Sequence, residues 1–303
     1  MAVAARVKPL DYFTPEEWAK LSARSHWKGL ALVAHGWAVI GLTMVAGVLW
    51  PITIPLGIMI IGTRQLGLAV LQHDAAHGAL HPNLKVNDWV AEWLCSPGVQ
   101  RYRDYHLQHH KYAQQAEDPD LILSAPFPIS PTSLRRKIVR DLTGQTFLKQ
   151  RFGLLYARKP GQPLWPVLKA QILRQKRFLI SNGLGLLAFS LAGYAWVYVA
   201  LWLVPMATWF PLVTRLRNIA EHALVAKNEP DPLRHARTTR ANLIERALIA
   251  PYWVNYHAEH HMFMHMPCWS LPRAHKLLTA KGTTKAMEMA PNYRAVLSAA
   301  AGA

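Results

Sequence analysis

Tyr105-His106-Leu107-Gln108-His109-His110 sets three imidazoles at relative positions 0, 3 and 4. On an α-helix these positions share one face, so three neutral nitrogens can converge on one point. Histidine is the commonest side-chain metal ligand, and an adjacent His-His pair is hard to explain by packing. His257-Ala258-Glu259-His260-His261 repeats the spacing far downstream. His73-Asp74-Ala75-Ala76-His77 adds a pair at i, i+4, and Asn218-Ile219-Ala220-Glu221-His222 places an amide and an imidazole at the same interval. Separate clusters at ligand spacing point to a metal centre.

Nine histidines and one asparagine are too many donors for one ion. Two ions with four or five nitrogens each would use them and leave positions open for oxygen or water. Imidazole suits zinc, copper, iron and nickel, so ligand type leaves the metal open. Asp74, Glu221 and Glu259 stand beside the clusters and either orient the imidazoles from behind or are ordinary solvated surface carboxylates. Ligation needs neutral rings, so acid should strip the metal. Cys95 and Cys268 are the only cysteines, lie far apart and sit in no CxxC pair, so no thiolate metal site or disulfide framework is implied. His81 and His265 stand at helical spacing from His77 and His261, whereas His26, His35, His235 and His275 belong to no cluster and read as surface or membrane-interface residues.

These residues need a scaffold. The 303-residue chain is 51% hydrophobic, with 12 Trp and 10 Tyr, yet carries a formal charge of +17. That pairing fits apolar residues gathered in membrane spans with the charge on one side. Lys and Arg form no isolated tail and no RNA-binding motif, so nucleic acid is excluded as a partner. Gly29 to Thr63 holds no charged residue, long enough for two short spans with Pro51 and Pro55 at the turn. Phe178 to Thr214 is a second uncharged run that reads as another hairpin.

The chain is therefore expected to be all-α and integral to the membrane. Four transmembrane helices form two hairpins, under a helical cytosolic cap holding a His-rich dinuclear site. Within one domain over 1–303, residues 1–26 are a cytosolic lead-in and 27–79 the first hairpin with the first His cluster. Residues 80–177 are a cytosolic section with the second cluster; 178–222 form the second hairpin, ending in Asn218 and His222. Residues 223–303 are a cytosolic section with the third cluster, ending in an Ala-rich tail that reads as frayed. Thr14-Pro15-Glu16-Glu17 starts a short amphipathic helix, suited to a membrane surface or to ordinary packing. Lys and Arg collect in the non-hairpin sections and avoid the hairpin tips, which by the positive-inside rule puts both termini and every His cluster in the cytosol.

The boxes HDAAH, HLQHH and HAEHH, with RNIAEH between the second and third, resemble the integral-membrane fatty acid desaturase superfamily, which also contains lipid hydroxylases and carotenoid ketolases and hydroxylases. The resemblance runs from about residue 60 to 280 and includes the EDPD segment and the NYHAEHH…P…LP run. It implies a di-iron centre at the cytosolic ends of four spans. Carried over by motif, the ligands are His73, His77, His106, His109, His110, His222, His257, His260 and His261, and Asn218 would hold a metal-bound water. Members use two electrons and dioxygen to remove hydrogen from an unactivated CH₂. A second abstraction gives a double bond; hydroxyl rebound gives an alcohol. The third box begins with His257 where front-end desaturases commonly have Gln, and no cytochrome b5 region is visible.

The expected activity is thus desaturation of a fatty acyl chain in an acyl-lipid or acyl-thioester. No Gly-rich dinucleotide loop is present, so electrons come from a separate ferredoxin-like or cytochrome donor, steered by the basic cytosolic surface. A lipid or carotenoid hydroxylase or ketolase would use the same metal site. A membrane metal transporter would place polar residues within its spans, whereas these clusters lie at span ends. A zinc hydrolase would show HExxH, which is absent.

Overall fold

The computed structural model describes residues 6–124 and 126–302, so the start of the lead-in lies outside the described residues. The chain is mostly helical and separates into two compact units. One comprises residues up to Trp37, Leu66–Leu134 and Val213 onward; the other comprises Ala38–Gln65 and Arg135–Leu212. All three His boxes lie in the first unit.

In that unit, α1 (Pro15–Ser22) begins with a reciprocal cap. Glu17 N–H donates to Thr14 Oγ1 at 3.2 Å and Thr14 N–H donates to a Glu17 carboxylate oxygen at 2.9 Å. The helix buries Leu21 and packs Trp18 on Phe263, ring centres 5.7 Å apart, beside Phe13 at 5.1 Å from the same ring. Helix α1 thus packs against the segment that follows the third box.

The long helices α2 (Lys28–Leu49) and α3 (Ile54–Ala76) are joined by a single tight turn over Pro51–Thr53. Gly78, at φ +65°, ends the helical run just after the first box, a conformation that costs glycine nothing. Next come α4 (Leu84–Val90), capped by Asn83, and a π-turn over Ala91–Cys95. Trp89 and Trp93 stand exposed on this stretch. Helix α5 (Val99–Tyr112) carries the second box, and its amino end is fixed by Glu92, whose carboxylate accepts from Gly98 and Val99 N–H at 2.7 and 2.9 Å. Arg103 then ties α5 to the end of α3, donating to Ala76 and Ala75 carbonyls at 2.9 and 3.0 Å. Two His boxes are thereby held by one guanidinium.

The second unit contains the middle of the first hairpin and α6 (Leu164–Leu191). It also contains a broken helical stretch from Ala195 that runs into α7 (Trp209–His222). Polar side chains here pair with each other: Trp202 Nε1 and Tyr198 Oη donate to Asn182 Oδ1 at 3.1 and 3.0 Å, and Gln65 Nε2 donates to Trp202 O at 3.0 Å.

Among the described residues, three stretches are long and apolar enough to cross a membrane: Lys28–Leu49, Pro51–Ala76 and Ala195–His222. The expected fourth span falls on α6, which carries Lys169, Arg174, Lys176 and Arg177 in its first half and is uncharged only from Phe178 to Leu191. That uncharged part is shorter than the roughly 20 residues a bilayer core asks for.

The expectation of an all-α chain needs one amendment. Strand β1 (Arg237–Thr239) pairs in parallel with β2 (Glu288–Ala290), a clip that reaches from near α7 to the end of the chain. The strands are only three residues each, too short for an alternating pattern to reveal. The carboxyl-terminal segment is also ordered rather than frayed. Asn292 caps a helix over Tyr293–Ala300, which buries Tyr293, Val296 and Ala300, and Ile129 N–H donates to Ala300 O at 2.9 Å.

Candidate metal centre

Three helices deliver the second box, the third box and His222: α5, the short α8 (His257–Met262), and α7. The first box lies at and just beyond the end of α3. Together they gather all nine predicted histidines into two sets. His73, His77, His106, His110 and His260 form one, and His109, His222, His257 and His261 the other; within each set the nitrogens lie within 4.8 Å of one another. Eight of the nine are buried, and His261 nearly so.

The 0, 3, 4 spacing does not send three rings to one point. In each triple box the i, i+4 pair joins one set and the middle histidine joins the other. His106 and His110 go with the five, His109 with the four; His257 and His261 go with the four, His260 with the five. Helix geometry explains this. Residues i and i+4 lie about 40° apart around the axis, and i+3 lies about 100° from i+4, so one box can serve two centres.

The donor set fits metal ions. His110 Nε2 lies 3.0 Å from both His106 Nε2 and His260 Nε2. Among neutral rings an Nε2 is either one donor or one acceptor, so three mutually close nitrogens cannot all be satisfied by each other. In the second set His257 Nε2 lies 2.9 Å from His222 Nε2 and 3.2 Å from His261 Nε2, which lies 3.3 Å from His109 Nε2. Both ring nitrogens of His73 and of His77 are buried without a hydrogen-bond partner. Each such group costs about 1–3 kcal/mol if nothing binds it, against a total stability of about 5–15 kcal/mol. A cation taking one nitrogen from each ring removes much of that cost.

Burial also sets the protonation state the ligands need. His77, His106, His110, His257, His260 and His261 are all held well below the ordinary 6.5, first by desolvation and then by the positive charge neighbouring histidines would carry. They are neutral imidazoles at neutral pH.

Carboxylates surround the two sets unequally. Asp118, from the EDPD segment, accepts from His109 Nδ1 at 2.7 Å, which leaves His109 Nε2 for the centre. Gln114 and Asp120 N–H groups, each at 2.9 Å, hold that carboxylate. Glu221 Oε2 lies 3.5 Å from His257 Nε2. Asp74 lies 3.7 Å from His73 Nδ1 and accepts instead from Cys268 N–H at 2.8 Å. Glu259 points away from the rings. It accepts from the Thr238 hydroxyl and from His275 Nδ1 at 2.5 Å, while Ala258 N–H donates to Thr238 Oγ1 at 3.1 Å. Glu259 therefore anchors α8 to β1.

Asn218 is half-buried on the same face of α7 as His222, one turn earlier. His265 and His81 stay outside both sets; each uses Nδ1 on nearby backbone, of His77 and of Asn83. His275 and His235 are not the surface residues the sequence implied. His275 buttresses Glu259, and His235 is buried with Nε2 2.8 Å from Glu229 O. Neither sits in a motif, so no spacing could have flagged it.

A cavity of about 230 Å³ opens onto the centre at His110 and His261, one ring from each set. Trp18, Met262, Phe263 and Met264 supply its apolar wall.

The family profile for fatty acid desaturase matches residues 49–292. The chain belongs to that family. Curated relatives agree. It is 27% identical over 270 residues to dihydrorhizobitoxine desaturase of Bradyrhizobium elkanii, covering 82% of this chain and 74% of the relative. Against the beta-carotene ketolase of Paracoccus sp. (strain PC1) it is 25% identical over 276 residues, 86% and 88% of the two chains. The sn-1 acyl-lipid omega-3 desaturase (ferredoxin) of Synechocystis is 25% identical over 242 residues, 73% of this chain and 66% of the relative. As a member of this desaturase, hydroxylase and ketolase superfamily, the protein is an oxidoreductase.

Proposed function

We propose that the protein is a membrane-bound, di-iron, O₂-dependent desaturase of a fatty acyl chain carried as an acyl-lipid or acyl-thioester. The observation that carries this reading is the division of nine buried histidines into a set of five and a set of four, meeting at one cavity. Each set holds one iron. Two irons supply, with dioxygen and two electrons, the oxidant for an unactivated C–H bond that no side chain provides.

The chain's own residues do the rest. His109 is fixed in one tautomer by Asp118, so its Nε2 is available without rearrangement. Arg103 and Thr238 hold the boxes in register through α3, α5 and α8. Trp18, Met262, Phe263 and Met264 give the cavity an apolar wall against which a CH₂–CH₂ unit can lie beside His110 and His261. The balance of the reaction is CH₂–CH₂ plus O₂, two electrons and two protons to CH=CH and two waters.

The electrons come from a separate ferredoxin-like or cytochrome donor; one relative is named as a ferredoxin enzyme, and the net charge of +17 suits an acidic partner. Both termini and the metal centre face the cytosol, following the charge distribution. Asn218 holds a metal-bound water.

A second reading, hydroxylation or ketolation of a lipid or carotenoid, is favoured by the likeness to the Paracoccus ketolase over most of both chains. Mass spectrometry of products from membranes expressing the protein separates the two. Loss of two hydrogens from an acyl chain with no oxygen gained is the expected result; gain of one oxygen, with or without loss of two hydrogens and with no new C=C bond, would replace it by the second reading.

A further inference from the structure

One outward face of α6 joins bases and apolar residues in a single stripe. At about 100° per residue, Trp165, Lys169, Ile172, Leu173, Lys176 and Ile180 fall within an arc of about 120° around the helix axis. All six are exposed, Trp165 at 69% and Leu173 at 62%. Leu184, Leu187 and Leu191 continue the same arc to the end of the helix and are exposed too. The opposite face is fixed. Val167 and Gln171 are buried there; Gln171 Nε2 donates to Arg151 O at 2.5 Å, and its Oε1 accepts from Leu154 N–H at 3.1 Å. Arg151 Nη1 donates to Gln175 Oε1 at 3.3 Å, and the guanidinium lies over Phe178, 4.1 Å from the ring centre. The short helices over Gln145–Arg151 and Gly153–Tyr156 thus clamp the back of α6 and leave the stripe outward.

Two properties of the stripe point to its partner. The first is charge: from Thr143 to Leu191 the chain has eight Lys or Arg and no Asp or Glu. The second is the order of residues. Lys169 and Lys176 alternate with Ile172 and Leu173 rather than forming a patch of their own, and the stripe then runs on without charge. A soluble acidic protein would have to cover these apolar side chains together with the leucines beyond them. A bilayer meets both kinds, with headgroup phosphates at the ammoniums and acyl chains along the rest. The lengths agree. The 28 residues of α6 run about 42 Å, close to the thickness of a bilayer with its headgroups, and lysine stems reach outward from apolar surroundings. We propose that this face of α6 is a binding surface for anionic phospholipid, with Lys169 and Lys176 on headgroup phosphates and Ile172 and Leu173 against acyl chains. The inference rests on the membrane-bound reading above and is independent of the metal centre. Held this way, α6 keeps its place in the bilayer by lipid charge as well as by its short uncharged half.

The test uses the full-length protein carrying p-benzoylphenylalanine at Leu173 or, separately, at Leu187. Each is placed in nanodiscs of phosphatidylcholine with phosphatidylglycerol as the minor component, with an acidic ferredoxin added outside. After irradiation, mass spectrometry identifies what is crosslinked. At Leu173 the lipid adducts should contain phosphatidylglycerol roughly fivefold above its share of the bilayer, the factor that one cation near the surface supplies. At Leu187, about 16 Å along the axis from Lys176, they should follow the bulk composition. Lys169→Gln/Lys176→Gln should return the Leu173 adducts to bulk composition, and about 1 M salt should lower the enrichment with both lysines present. If the double variant does not fold, the enrichment with both lysines present and its salt dependence decide. Adducts of bulk composition at Leu173, or enrichment that survives the double variant, overturn the inference. So does crosslinking of Leu173 to the ferredoxin in place of lipid, which would make this face a protein-docking site. A protein that leaves the membrane fraction in alkaline carbonate without detergent overturns the membrane-bound reading itself.

Discussion

The five-histidine and four-histidine sets are built from the same boxes yet held differently. The five-histidine set is a nitrogen cluster with little behind it: the ring nitrogens of His73 and His77 have no hydrogen-bond partner, and Asp74 stays 3.7 Å away. The four-histidine set is backed by carboxylates, Asp118 on His109 and Glu221 beside His257. Negative charge behind an imidazole raises its basicity and fixes its ring, whereas a cluster of bare rings depends on the ion to hold it together. One set is thus held by carboxylates behind its rings, and the other has fewer such partners.

The largest effects should come from removing one ring per set. His110→Ala and His261→Ala should each abolish product formation and lower iron from about two to about one per chain, leaving different Mössbauer doublets behind. If both variants lose the same doublet, the division into two sets is wrong. Next in size is Asp118→Asn, expected to cost roughly 10–100-fold in affinity at the four-histidine set only. Isothermal iron titration checks this, and equal weakening at both sites would show that Asp118 supports the loop rather than the ligand.

Thr238→Val should act on both sets alike, because Glu259 anchors the helix that carries His257, His260 and His261. Loss of one partner from this buried carboxylate should lower stability by about 1–3 kcal/mol without selecting a doublet. Thermal unfolding with and without iron measures it, and an unchanged midpoint would remove Glu259 from the account.

The most graded effect is that of pH. Six of the histidines have folded-state values well below 6.5, so at mildly acid pH the unfolded chain binds more protons than the folded one. The contribution of each neutral ring is therefore constant above 6.5 and is lost progressively as pH falls below it. Stripped protein should show falling stability below 6.5, and loaded protein should lose iron in the same direction but at lower pH, since the metal competes with the proton. A flat profile across that window in the stripped protein would contradict the burial of the sets.

Much of this was legible in the sequence. The nine histidines were readable from spacing, because ligand geometry on a helix is a property of i, i+3 and i+4 alone. What spacing could not tell was how the boxes share their rings, since the choice between His109 and His110 depends on where α7 and α8 stand. The supports were less visible still. Asp118 lies in an acidic loop, His275 belongs to no cluster, and Arg103 and Thr238 look like ordinary surface and strand residues until α3, α5 and α8 are brought together. The fourth span was expected from a run without charge, but the helix that contains it begins inside the basic section, and only its second half is apolar.

The most direct test is the metal content of the detergent-purified protein grown on ⁵⁷Fe, with Mössbauer spectra of the same sample. The account predicts about two irons per chain in nitrogen-rich sites, resolved as two unequal doublets. Zinc alone, with no oxygen consumption after iron reconstitution, would contradict it.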